Sequence, residues 1–259
     1  MPTPSNTGTQ QHLVDKLHQV GWFIPPYAGV QRINYIAQLI NRSATFGPPD
    51  LEQILSALYP ANVLASMVVN RYPHTPVVET FQEIIAESVE SHFLKLNHIA
   101  ASGLAPVVEG IARRLAQGHG ITIQNFTGPS GVIEALTAHC RQHVVTNQVG
   151  TVGECLSLLD SFELFLSKVL FANTNKQHKF EDGTNRHGML HAVFADSDFG
   201  SPLNFYKVIT AVNALTWMSA VYHGGSGFVP DETPRSKEYA RYYRLLSEIS
   251  SKDKPGRQP

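Results

Sequence analysis

The sequence predicts an all-α protein: a helical bundle preceded by a small proline-rich helical N-terminal region and followed by a C-terminal helix. Two observations carry this. Nine of the sixteen prolines fall within residues 2 to 76 and four beyond residue 229, leaving Pro106, Pro129 and Pro202 in the long middle; because proline interrupts helix interiors, the middle is where long helices run. Through that middle the apolar residues step by three or four, whereas the best strand candidate, Ile121 to Ile123, is very short.

The elements follow in order. In residues 1–76, GWFIPPYAGV and FGPPDLEQILSALYP read as short helices joined by proline turns, with Asp50 placed to cap a helix and Gln53 to return the cap. In residues 77–224 the stripe Phe81, Ile85, Val89, Phe93, Leu96, Ile99 predicts one amphipathic helix. Leu104 to Leu115 and Val132 to Val144 predict two shorter ones, and Cys155 to Val169 and Phe205 to Met218 two more. In residues 225–259, HGGSGFVPDETP is a flexible link to a helix with Tyr239, Tyr242, Tyr243, Leu246 and Ile249 on one face, which either packs back or meets a partner. The extreme tails, 1–9 and 251–259, are expected to be disordered.

Composition narrows the function classes. The 259 residues are 42% hydrophobic and 16% charged with a net charge of -1, so no bulk basic field draws the molecule to nucleic acid or an anionic membrane, and phosphate binding must be local. Cys140 and Cys155 without a secretory signal read as buried, reduced thiols, and no apolar run approaches a membrane span. The expectation is a cytoplasmic protein with no membrane association.

The segment EDGTNRHGMLH is the densest chemistry in the chain. Gly183 and Thr184 form a helix-entry signal, which places Arg186 in the first helical turn. His187 and His191, four apart, share a face, while Arg186 reaches His191 if its long side chain folds round. Guanidinium, imidazole and free helix N–H groups together suit a phosphate. The alternative is a polar helix start with His191 half-buried and hydrogen-bonded. The spacing alone favours that plainer alternative, because 11 arginines and 12 histidines give about 0.5 such pairs by chance. Arg114 and His119 in RRLAQGHG repeat the spacing and read as a helix end.

Other groups have plainer readings. His187 and His191 lack the glutamate of a zinc-protease helix, Gly188 standing in its place, and a third metal ligand would have to come from His178, Asp196 or Asp198. His139, His143 and His92 read as satisfied histidines at the core edge. TGPSG and QVGTVG read as turns. Glu109 and Arg113 read as a surface ion pair. Arg113, Arg114, Lys176 and Lys179 make a basic patch if the fold gathers them, and solvated faces otherwise.

The longer string NRHGMLHAVFADSDFGSPLNFYKVITAVNAL resembles the signature of the HEPN superfamily: an arginine, a polar residue, then a few residues and a histidine, here Arg186, His187 and His191. It is most similar to the abortive-infection, Apea-like type, in which an asparagine precedes the arginine, as Asn185 does. An aromatic–glycine pair follows, as Phe199–Gly200 does, and then a helix with an asparagine such as Asn204. Where many relatives have glycine after the histidine, this chain has Ala192.

The resemblance implies a HEPN-like bundle and a metal-independent endoribonuclease without a cofactor. The 2′-OH of RNA attacks the adjacent phosphorus, leaving a 2′,3′-cyclic phosphate. His191 acts as general base or acid, Arg186 grips the phosphate, and His187 and Asn185 orient these groups or bind sugar and base. It further implies a homodimer joining two motif helices, and a toxin or anti-phage defence effector with an antitoxin or trigger partner. The alternatives are a non-catalytic HEPN-like binding or sensor module, and a metal-dependent hydrolase using His187, His191 and an aspartate.

Overall fold

The structure, a computed structural model, describes residues 7–42, 46–122, 128–174, 182–225 and 227–251. The described residues contain helices and no strand. Ile121, the start of the strand candidate, instead closes a helix by donating its N–H to the Ala116 carbonyl, and Ile123 lies outside the described residues.

In the N-terminal region, α1 (Thr7–Gln19) and α2 (Val30–Arg42) are joined by the Trp22–Pro26 stretch, which buries Trp22 and Phe23 completely. Helix α3 (Pro48–Leu58) starts three residues earlier than Asp50 as its cap suggests, with Gly47 in the cap position. Pro48 and Pro49 have no N–H to satisfy, so they occupy the first turn, and the Asp50 carboxylate reaches back to accept from Gly47 N at 2.9 Å. Asp50 caps from inside the helix, and Gln53 returns nothing to it. Helix α4 (Ala61–Asn70) follows directly.

The stripe expected to run from Phe81 to Ile99 is two helices. Helix α5 (Gln82–Phe93) ends where Lys95 takes a left-handed φ of 56°, and α6 (Asn97–Gly118) then runs through both the end of that stripe and the Leu104–Leu115 segment. Pro106 is tolerated inside α6 on an exposed position. Helices α7 (Pro129–Asn147) and α8 (Val152–Phe165) come next, α8 loosening into a π-helical turn over Leu166–Leu170. A single turn, α9 (Arg186–Leu190), precedes α10 (Pro202–His223), and α11 (Pro234–Ser251) closes the chain.

Helix α10 is the axis. Every residue from Leu203 to Ala220 is buried, because α3, α6 and α7 all pack around it. It is therefore not the amphipathic helix its Phe205–Met218 stripe predicts. Its polar residues are satisfied inside: Asn213 accepts from the Tyr72 hydroxyl at 2.7 Å, Ser219 donates to the Pro76 carbonyl at 2.9 Å, and Thr210 and Thr216 bond back to the carbonyls of Tyr206 and Val212. Helix α11 packs back onto α4 and α5, with Tyr243 fully buried and stacked on Phe93 at 4.8 Å between ring centres. One hydrophobic core includes residues from Val14 to Tyr243. Among the described residues no helix is long and apolar enough to cross a membrane.

Candidate functional site

Arg186 does occupy the first helical position, but Asn185 rather than Thr184 is the cap. Asn185 is completely buried. Its Oδ1 accepts from Gly188 N at 2.9 Å, and its amide donates to the carbonyls of Val169 at 2.9 Å and Ala172 at 2.8 Å. One side chain thus starts α9 and satisfies two carbonyls at the frayed π-helical end of α8. That burial leaves Asn185 no exposed face; what its side chain fixes is the start of α9.

The residues around Asn185 explain why the turn sits where it does. Thr184 is buried, and Asp182 Oδ1 accepts from its N–H at 2.9 Å. Asn204, on the first turn of α10, donates to the Asp182 carbonyl at 2.5 Å and to Thr184 Oγ1 at 2.9 Å, while its own oxygen accepts from Gly200 N and Ser201 N. The Lys207 ammonium, fully buried one turn further along α10, is ion-paired with the Asp182 carboxylate and donates to the Val20 carbonyl at 3.2 Å. Burial works against both charges and lowers the Lys207 pKa. Although burial alone would raise Asp182, Lys207 and the Thr184 hydrogen bonds outweigh it and hold that carboxyl below its ordinary value.

Two glycines let this packing close. A Cβ on Gly183, which takes a φ of 64°, would run into the Asp198 carbonyl, and one on Gly188 would run into the Phe194 ring. The Phe199–Gly200 pair packs against His98, the Phe199 ring edge-on at 4.8 Å.

On this mount, His187 and His191 are both exposed, their ring centres 4.6 Å apart. His191 is the helix C-cap and is not half-buried as the polar-start reading expects. Ala192, the position that departs from the family pattern, has a left-handed φ of 52°. Leu190 and Val193 flank the histidines as exposed apolar side chains.

The Arg186 side chain turns to α6, where its Nη2 lies 3.0 Å from Glu109 Oε2. The other Glu109 oxygen takes Arg113 Nε at 2.9 Å. The expected Glu109–Arg113 pair exists, and it extends to Arg186. Among the described residues no hydrogen bond or ring contact joins Arg186 to His191: the two histidines meet each other, and the two guanidinium groups meet at Glu109. The remaining members of the basic patch separate: Arg114 turns to Thr80 Oγ1 at 2.6 Å and lies over the Phe81 ring, and Lys176 and Lys179 lie outside the described residues.

Sequence reading passed over Glu109 as a partner of Arg186, and Asp182 and Lys207 altogether. Glu109 lies 77 residues before Arg186, and nothing local marks the pair. Lys207 carried a signal, a lone lysine in an otherwise apolar helix, but that reads equally as its solvent face.

For a metal, His178 lies outside the described residues, and Asp198 is occupied in capping Ala195 N at 2.7 Å. Among the described residues no three His, Cys, Asp or Glu side chains are grouped to hold an ion. His92 is in the core as expected, but its Nδ1 lacks a partner. His139 is exposed and hydrogen-bonded to the Tyr222 hydroxyl at 2.9 Å.

Comparison with protein-family models, with characterised proteins and with solved structures gives no match. A functional reading therefore stands on two things: the arginine, histidine and asparagine motif, and the way this fold mounts it.

Proposed function

We propose that the protein is a metal-independent endoribonuclease of the HEPN type, with Arg186, His187 and His191 as its working residues and Asn185 as their support. The observation that carries this reading is the mount. A fully buried asparagine, bonded at both ends of its amide, fixes a single helical turn that presents two adjacent imidazoles to solvent. A turn serving packing alone has no need to leave its histidines outside.

In the reaction proposed, one imidazole takes the proton of the RNA 2′-OH, and that oxygen bonds to the adjacent phosphorus. The bond from phosphorus to the 5′-oxygen breaks, and a second imidazole returns a proton to the leaving oxygen. The products are a 2′,3′-cyclic phosphate and a free 5′-OH. Arg186 stabilises the charge that gathers on the non-bridging oxygens. A second copy of the chain, docked across the exposed Leu190 and Val193, would bring further imidazoles to the same phosphate. DNA has no 2′-OH and is not cut.

The test is incubation of the purified protein with single-stranded and structured RNA in excess EDTA, beside Arg186→Ala and His191→Ala. Cleavage leaving cyclic phosphate ends, reduced at least about 100-fold in each variant, is the expected outcome. RNA binding without cleavage would replace the enzyme with a binding module. Cleavage dependent on added divalent metal would replace it with a metal hydrolase.

A further inference from the structure

A cleft of about 360 Å³ opens between the N-terminal ends of α3 and α10 and the turn from α5 into α6. None of Asn185, Arg186, His187 and His191 belongs to its described lining. Four polar side chains that do belong to it have few partners or none. Among the described residues the Glu52 carboxylate accepts from Leu203 N alone, at a long 3.3 Å. The Tyr206 hydroxyl and the His92 ring make no hydrogen bond among those residues, and His92 Nδ1 and Asn97 Oδ1 are buried without a partner. Interior polar groups are ordinarily paired, so four together at one cleft point to a ligand that pairs them.

The chemistry of the four sets the class of ligand. Glu52, Asn97 Oδ1 and one nitrogen of a neutral imidazole accept, and the Tyr206 hydroxyl can accept as well as donate. His92 is that neutral imidazole, because burial lowers its pKa to about 3. Pro49 and Pro202 add no N–H and stand with Phe93 as apolar lining. Glu52 is the only carboxylate of the described lining, and among the described residues it has no ion pair. Lys95, also in the lining, has an interaction of its own and is not paired with Glu52. Burial raises the Glu52 pKa in spite of the Leu203 N–H, so the surroundings under-compensate its charge.

We propose that the cleft binds a small planar organic cation of the amidine or guanidine class, Glu52 and Tyr206 taking its N–H groups and Phe93, Pro49 and Pro202 its apolar body. A planar cation of this kind meets a carboxylate through two parallel N–H···O bonds, the geometry that a lone ammonium lacks. Asn97 and His92 complete the acceptor set. The proposal is independent of the ribonuclease reading, with which it shares no residue.

The probe is benzamidinium, titrated calorimetrically at neutral pH beside benzamide, its neutral counterpart, and benzoate, its anionic one. Benzamidinium should bind saturably at millimolar concentration, and the other two at least about tenfold more weakly. Glu52→Gln, which keeps an oxygen for Leu203 N, should weaken benzamidinium at least about tenfold, and Tyr206→Phe about threefold to tenfold. Glu87→Gln, which removes an exposed carboxylate of α5 outside the cleft, should change nothing. In the parent protein the Glu52 carboxyl, followed by carbon NMR, should titrate at lower pH once benzamidinium is bound, a shift that a purely structural Glu52 would not give.

No saturable binding of benzamidinium, equal binding of benzamide, or undiminished affinity in a folded Glu52→Gln each overturns the proposal. An equal loss in Glu87→Gln overturns it in favour of diffuse attraction. If thermal unfolding shows Glu52→Gln to be misfolded, an unmoved carboxyl titration in the parent protein overturns it instead. None of these outcomes touches Arg186 and His191, whose test is RNA cleavage.

Discussion

At Ala192 the chain turns away from α9 with φ at 52°. A side chain with a Cβ pays roughly 1–2 kcal/mol for a left-handed residue. Glycine relieves that but loosens the unfolded chain, which returns about 0.4–1 kcal/mol. Ala192→Gly should therefore stabilise the protein by about 0.5–1 kcal/mol in urea denaturation, and a destabilised variant would mean the alanine methyl is packed. Asn185 carries the opposite expectation. Asn185→Ala removes the cap and leaves two carbonyls and an N–H without their partner in the interior, a loss of about 2–4 kcal/mol; a loss under about 1 kcal/mol would show that water reaches those groups. Sequence alone places Asn185 beside Arg186. It cannot reveal the role, because the carbonyls that Asn185 serves lie 16 and 13 residues earlier in the chain and meet it only through the packing of α8.

At the scale of elements, periodicity finds helices well and their environment less well. The stripe along α10 is real, but the polar residues between its members look like a solvent face until the packing is known. Asn204, Lys207, Thr210, Asn213, Thr216 and Ser219 are all buried. Their partners, such as Tyr72, Pro76 and Asp182, come from distant segments that local spacing does not register. Lys207 tests the consequence. Lys207→Met strands the Asp182 carboxylate in the interior and should cost about 3–5 kcal/mol. Because the pair is itself expensive to desolvate, the double variant Asp182→Leu, Lys207→Met should recover much of that loss. Equal destabilisation of single and double variants would refute the charge argument and leave packing as the cause. The same scale explains the broken Phe81–Ile99 stripe: the apolar spacing continues across Lys95, and the left-handed residue that separates α5 from α6 leaves no mark in the pattern.

At the scale of the whole molecule, the amphipathic pattern of α11 establishes that a face is covered without saying by what. In the fold α4 and α5 cover it, burying Tyr243 and leaving Tyr242, Leu245 and Ile249 exposed. Where α5 and α10 meet, His92 lies flat on Phe205 with ring centres 4.1 Å apart and meets Tyr206 edge-on at 4.9 Å. Burial lowers its pKa to about 3. Burial also lowers His18 and His119, the latter helped by His139, His223 and His143. The sign follows from proton counting. Between about pH 6.5 and 3 the unfolded chain binds a proton at His92 that the folded chain refuses, so the unfolded state gains and stability falls as the pH drops through that window. A single histidine of this kind removes about 2 kcal/mol between pH 7 and pH 5. His18 and His119 act in the same direction, and Asp182, held ionised by Lys207, adds its own loss below its unfolded value of 3.8. Urea denaturation at pH 7, 6 and 5 should show the fall, and His92→Phe, which keeps a ring against Phe205, should reduce it by about 2 kcal/mol. A variant as acid-sensitive as the parent would mean that His92 gains its proton without unfolding, and that the acid response belongs to other groups.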